Sequence, residues 1–260
     1  IKMYKICIFA GTTEARRLVE LLSSQRHVAV TACVATEYGE TLLPDADNVT
    51  VRSGRIPVSE IIQLLSDTKY DLVIDATHPY AASITESVAR ACAETGTEYL
   101  RLLREAPEDG WREDCLYVST AQEAAQSLKN LPGNILLTTG SKELSAFTEV
   151  PDYAERSFVR MLPTEEAVRK ALSFGWTPGH LICMQGPFSE ELNLALLHQF
   201  DIQVLVTKES GKVGGFWEKL RAAQKAGART IVIGRPPQVP GDSFEVLWQK
   251  LCKRFMINSR

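Results

Sequence analysis

The chain has 260 residues, 45% of them hydrophobic and 23% charged, a balance that suits a soluble globular enzyme of one large α/β unit or two smaller domains. A formal net charge of −3 and a pI near 5.9 exclude a general nucleic-acid binder. No apolar run approaches the roughly 20 residues of a membrane span, and the first apolar stretch is too short for a signal peptide, with Met3 the expected natural start.

Tyr4 to Ala10 is a short apolar run of strand length. Gly11 breaks it, and from Thr13 the apolar spacing (Ala15, Leu18, Val19, Leu22) becomes helical. This strand–turn–helix predicts the opening of a parallel α/β sheet, with its turn at the carboxyl edge where such sheets bind ligands. Two readings of the turn stand. Either helix-start N–H groups and the hydroxyls of Thr12 and Thr13 hold a phosphate, or Gly11 supplies an unusual backbone angle and a threonine caps the helix. Glu14 suits the helix dipole but repels a phosphate.

Further strands are predicted at His27–Ala35, Val49–Arg52, Asp71–Ala76 and Glu98–Leu103. The segment holding Gly39 and Pro44 is expected to be a loop, and helices are expected from Pro57 to Ser66 and from about Ala82 to Thr95, where Gly96 ends the second. Arg104–Asp114, polar with Pro107 and Gly110, is the expected linker. Beyond it the alternation resumes. Strands are expected at Leu116–Val118, Asn134–Thr138, Ser157–Met161, His180–Gln185, Val204–Thr207 and Thr230–Ile233. Helices are expected at Thr120–Leu128, Glu165–Ser173, Glu190–His198, up to Ala226, and from Ser243 to Phe255. The pattern predicts an α/β protein of two Rossmann-like domains with parallel sheets, residues 1–106 and 107–260, and an active site in the cleft between them.

The six cysteines (Cys7, Cys33, Cys92, Cys115, Cys183, Cys252) have no close pair and read as reduced thiols of a cytoplasmic protein. The four histidines show no metal-ligand spacing, so no metal is expected.

Small, polar and cationic residues recur just after the predicted strands. They are Gly11-Thr-Thr13, Ser53-Gly-Arg55, Thr77-His-Pro-Tyr80, Thr139-Gly-Ser-Lys142, Gln185-Gly-Pro187, Lys208-Glu-Ser-Gly211 and Arg235-Pro236. Cations at strand ends of an acidic protein point to a ligand with several carboxylates or phosphates.

Gly11-Thr-Thr-Glu-Ala-Arg16, Asp75-Ala-Thr-His-Pro-Tyr-Ala81, Thr139-Gly-Ser-Lys142, Gln185-Gly-Pro-Phe-Ser189, Lys208-Glu-Ser-Gly211 and Arg235-Pro236 occur in this order. So arranged, the chain resembles the precorrin-6A and cobalt-precorrin-6A reductases of cobalamin biosynthesis over nearly its whole length, with Ala10 where members more usually carry glycine. The resemblance implies NADPH, or NADH, as cofactor and a tetrapyrrole with many carboxylates as substrate, with neither nucleic acid nor membrane as partner. It implies cofactor contacts from Gly11, Thr12, Thr13 and Thr77. Ser53, Gly54 and Arg55 follow a strand in the same domain, where an arginine suits a ribose 2′-phosphate; Arg52 supports that reading, whereas Glu37 suits an unphosphorylated ribose.

His78, Tyr80 and Lys208 are the expected catalytic residues, His78 as proton donor; a histidine that pins the Pro79 turn is the plainer alternative. Lys142, Arg160, Lys208, Glu209, Ser210 and Arg235 are the expected substrate-binding residues, with ordinary surface charge the alternative for Lys142, Arg160 and Arg235. A non-catalytic dinucleotide or tetrapyrrole sensor, or another nucleotide-dependent reductase, stands as the rival function. Nothing in the sequence sets the oligomeric state.

Overall fold

The computed structural model describes residues 2–104, 114–210, 215–236 and 239–257. Two units divide the chain: Ile1–Arg104 with Pro236–Arg260, and Glu105–Arg235. Residues 105–113 of the expected linker lie outside the described residues, as do Gly211 and Pro237.

The first unit runs β1 (Tyr4–Ala10), α1 (Thr13–Ser23), β2 (Val28–Val34), α2 (Glu37–Thr41), β3 (Val49–Ser53), α3 (Val58–Thr68), β4 (Leu72–Ala76), α4 (Ala82–Thr95) and β5 (Tyr99–Arg101). Its strands are parallel in the order β3-β2-β1-β4-β5. The order reverses between β1 and β4, where doubly wound sheets open a crevice at their carboxyl ends. Alternate residues of β1 serve two cores. Ile6 and Ile8 pack with α1, whereas Cys7 and Phe9 pack with Ile61 and Leu65 of α3 and Val88 of α4.

The second unit runs β6 (Cys115–Val118), α5 (Ala121–Leu128), β7 (Asn134–Leu137), α6 (Leu144–Phe147), α7 (Tyr153–Arg156), β8 (Ser157–Met161), α8 (Glu165–Ser173), β9 (Leu181–Cys183), α9 (Glu190–Gln199), β10 (Ile202–Lys208), α10 (Phe216–Ala226) and β11 (Arg229–Ile233). Its parallel sheet has the order β6-β11-β10-β7-β8-β9. Helices α5, α6 and α8 cover one face, and α9 and α10 the other. Here the switch point falls between β7 and β10.

The last helix, α11 (Phe244–Phe255), corrects the expected domain division. It belongs to the first unit, where Phe244, Leu247, Leu251 and Phe255 join the core of Ile6, Ile8 and Leu18. Backbone bonds seat its approach: Leu103 N–H donates to Asp242 O, and Asp242 N–H to Arg101 O, both at 2.8 Å. An amphipathic stripe announces that a helix buries one face, but not which sheet receives it.

Smaller differences have local causes. Pro57 is the N-cap residue of α3 rather than part of its first turn, its ψ of 157° being extended. Thr36 caps the short α2 inside the expected loop by accepting from Gly39 N–H. Helices α6 and α7, of four residues each, carry too little periodicity to be read from sequence. The strand expected at His180–Gln185 shortens to β9, because Pro178–His180 forms a 3₁₀ turn. Cys7, Cys33 and Cys92, distant in sequence, share one buried cluster. Burial pushes the Cys92 thiol up to about 12.

Burying a large aliphatic or aromatic side chain stabilises by roughly 1.5–3 kcal/mol, so α11 is a major part of the first unit's core. Leu251→Ala should cost about 2–5 kcal/mol and speed amide exchange in β1 and β4, read across a urea series. Loss of protection in β7 and β10 with β1 and β4 unchanged would contradict this assignment.

Candidate active site

The site of the first unit begins with the turn after β1. Thr12 is the N-cap of α1: its hydroxyl accepts from Ala15 N–H at 3.1 Å and donates to Ala76 O at 3.2 Å. That second bond ties the β1 turn to the end of β4. Gly11 does not take a positive φ, which removes the unusual backbone angle expected for it. Its constraint is close approach instead. A Cβ at Gly11 would lie 3.3 Å from His78 N and 3.4 Å from Thr77 Cα, so a side chain here presses on backbone that has no slack. The Thr13 hydroxyl makes no hydrogen bond among the described residues and lies exposed on the first turn.

The turn after β4 is shaped from beneath by a buried ion pair. Asp75 is fully buried, and Arg101 on neighbouring β5 is 4% exposed. Arg101 Nη1 stands 2.5 Å from Asp75 Oδ1. The same carboxylate oxygen accepts from Thr77 N–H at 3.0 Å and from the Thr77 hydroxyl at 2.7 Å. Arg101 also donates to Thr77 Oγ1 at 3.0 Å and Thr77 O at 3.1 Å, while Tyr99 OH donates to Asp75 Oδ2 at 3.1 Å. Burial, then the Asp75 charge, pushes the Tyr99 phenol well above its ordinary range, so it remains a donor. Thr77, expected as a cofactor contact, is therefore turned inward, with its hydroxyl engaged by Asp75, Arg101 and Thr85.

His78 and Tyr80 emerge above this network, both partly exposed, with their rings stacked at 5.6 Å. Tyr80 N–H points at His78 Nδ1 at 3.3 Å, and Arg104 Nη1 lies 3.4 Å from His78 Nε2. Both ring nitrogens thus face donors. A neutral imidazole accepts from only one of them, and an imidazolium from neither. Arg104 also pairs with Glu14, Nε to Oε1 at 3.3 Å. This neutralises the acid that opposed an anion at the start of α1, and Glu14 Oε2 is left buried without a hydrogen-bond partner among the described residues.

Ser53, Gly54 and Arg55 lie at the carboxyl end of β3, exposed. Gly54, at φ 116°, donates its N–H to Val34 O at 2.9 Å, which joins the ends of β2 and β3. The ribose-binding position of a doubly wound sheet is the end of its second strand.

In the second unit, the ends of β7, β10 and β11 bring several of the expected residues together. Lys208 is the last residue of β10 and pairs with Glu143, Nζ to Oε2 at 2.7 Å. Glu209, 6% exposed, accepts from Arg235 N–H at 3.3 Å, and Arg235 Nε donates to Glu209 O at 3.0 Å. Ser210 follows, and Lys142 is exposed in the β7 turn with no ion pair among the described residues. Arg160 is not part of this group. It is buried on β8, with Nη1 donating to Asn193 Oδ1 at 2.7 Å.

Sequence reasoning missed Arg101, Arg104 and Glu143. Arg104 follows the predicted strand Glu98–Leu103, the same signal that singled out the other clusters, whereas Arg101 lies within that strand and carries no such signal.

Two doubly wound parallel units, one with a glycine-pinched turn against a helix N-terminus at its switch point, make this an α/β protein of two Rossmann-like domains. Comparison with known proteins is more specific. The family model described as precorrin-6x reductase CbiJ/CobK matches residues 5–251, and the chain belongs to that family. It is 37% identical over 234 residues to the cobalt-precorrin-6A reductase of Methanothermobacter thermautotrophicus, covering 89% of this chain and 76% of that one. It is 34% identical over 242 residues to the cobalt-precorrin-6A reductase of Salmonella typhimurium, covering 92% and 90%. Among solved structures, the CobK precorrin-6A reductase superposes with a TM-score of 0.77 at 25% identity, covering 96% of this chain and 97% of that one.

Removing one partner of a buried ion pair costs about 3–5 kcal/mol. Asp75→Asn should therefore lower stability by that order, and adding Arg101→Met should recover much of the loss. Equal destabilisation by the single and double variants in urea unfolding would deny the pair its role.

Proposed function

We propose that this chain reduces precorrin-6A or cobalt-precorrin-6A to the 6B form in cobalamin biosynthesis, with NADPH as reductant. The observation that carries the reading is the family match across residues 5–251, on a chain whose β1 and β4 turns meet at Gly11. Those residues fit a dinucleotide. Gly11 leaves backbone-only space beside His78, the α1 N-terminus favours an anion, and Arg104 offsets Glu14. Glu14 Oε2 is an unmet acceptor suited to a ligand hydroxyl.

In this reading Gly11, the Thr12 and Thr13 backbone and the Thr13 hydroxyl hold the pyrophosphate. Ser53, Gly54 and Arg55, with Arg52, meet the adenosine ribose and its 2′-phosphate. The bound nicotinamide supplies the hydride. His78 and Tyr80, presented by the Asp75–Arg101 network, line the reacting end, and the proton that completes the reduction passes from this side-chain pair. Lys142, Lys208 and Arg235 meet substrate carboxylates. Because Lys208 is matched by Glu143, and Arg235 is held by Glu209, Lys142 is the strongest of these three anchors.

Purified protein should oxidise NADPH only when given one of the two macrocycles. A flat nicotinamide trace with both authentic substrates would overturn the proposal. Charge-assisted bonds are worth roughly 1.5–3 kcal/mol, so Lys142→Ala should lower kcat/KM by about one to two decades, chiefly through KM. Lys208→Ala should cost less, and a reversed order would contradict the assignment. Gly11→Val should abolish NADPH binding while the second unit remains folded.

A further inference from the structure

Two buried cations of the second unit, Arg160 and Lys219, lie within electrostatic reach of one another. Arg160 on β8 is 6% exposed, and Lys219 on α10 is 7% exposed. Arg160 Nη1 bonds to Asn193 Oδ1, and its guanidinium lies 4.2 Å over the Phe188 ring. The Asn193 amide is fixed in turn by donating to Phe188 O and Ser189 O. Among the described residues neither cation has an ion pair. Arg101, the third buried cation among them, has Asp75 at 2.5 Å.

Their position compounds the imbalance. Asn193 and Lys219 stand in the first turns of α9 and α10, so the positive ends of two helix dipoles add to the two charges. Arg160 is the second-last residue of β8, so all three lie at the carboxyl edge of the sheet, where open α/β sheets take their ligands. Burial, then the Arg160 charge, lowers the Lys219 ammonium to about 7, and burial lowers Arg160 to about 10. Glu218 on the same helix opposes the Lys219 shift but is engaged with Arg221, and the first turn of α9 carries Glu190, engaged with Arg221 and Lys225 of α10, and Glu191, beside the Asn193 that meets Arg160. A buried unpaired cation is strongly unfavourable, and two together more so.

We propose that Arg160 and Lys219, braced by Asn193, form a receptor for a single oxyanion, supplied by a carboxylate of the tetrapyrrole or by a phosphate of the dinucleotide. The planar guanidinium gives a two-donor fork and the ammonium a third donor, a set that matches either group. Naming the tetrapyrrole or the dinucleotide as donor rests on the reductase reading; the oxyanion site itself does not.

The test uses the full chain, with inorganic phosphate and acetate as probes at constant ionic strength. Both should raise the melting temperature of the unaltered protein. Lys219→Met, which keeps volume and removes charge, should melt higher than the parent without ligand and lose the response to both probes. Lys219→Arg should retain it. With full ligands, a rise in KM of about tenfold for the tetrapyrrole at unchanged NADPH affinity makes the carboxylate the occupant. The same loss in NADPH affinity at unchanged KM makes the phosphate the occupant. If neither macrocycle is turned over, the phosphate and acetate responses still decide the site. Calorimetric titration of the unaltered protein with acetate, which is fully ionised and exchanges no proton of its own at pH 7.5, in two buffers at that pH is independent of any variant's folding, and should show proton uptake as Lys219 becomes charged. Lys219→Met with unchanged probe responses, or acetate titration without proton uptake, would overturn the proposal.

Discussion

Asp75 is a carboxylate with no contact with solvent, and Arg101 on the next strand meets it at 2.5 Å. A buried ion pair contributes little net stability compared with apolar packing. What it supplies here is geometry. Each half has further bonds to Thr77, and the chain between β4 and α4 cannot move without leaving a charge unmatched. The position of His78 follows, because it is the next residue. So does the demand on Gly11, whose only steric freedom is the space that the Thr77–His78 backbone leaves.

The same pair links the chain's two ends. Arg101 O accepts from Asp242 N–H, and Leu103 N–H donates to Asp242 O, just before the helix that completes the first unit's core. The strand that carries the guanidinium beneath the candidate site is therefore also the one against which the returning chain is seated. Substitutions in α11 should be felt at the Thr77 turn through β5, although no residue of that helix belongs to the site.

The local elements were legible because their signals are local. The apolar run Tyr4–Ala10 and the Glu165–Ser173 helix have the predicted bounds for β1 and α8, and Gly96 ends α4 in the left-handed region. The partner of α11 was not legible, since its stripe of Phe244, Leu247, Leu251 and Phe255 would suit either sheet. Within the site, residue types were readable and their directions were not. Thr77 stands in the Asp75–Ala81 motif, yet points inward because Asp75 two residues earlier captures its hydroxyl. Lys208 sits at a strand end as expected, but only the fold reveals Glu143 opposite it. Lys219 looks like a solvated helix charge in sequence; burial by the packing of α9 against α10 removes it from water.

The central claim is that the Asp75–Arg101 pair holds the β4 turn against Gly11 so that a dinucleotide lies across both. Amide exchange of the whole protein with and without NADPH tests it most directly. The account predicts slowed exchange at residues 11–16 and 77–82, with the largest change beside Gly11, and loss of that protection in Asp75→Asn at a temperature where the variant remains folded. Protection confined to the ends of β7 and β10, or unchanged in Asp75→Asn, would contradict it.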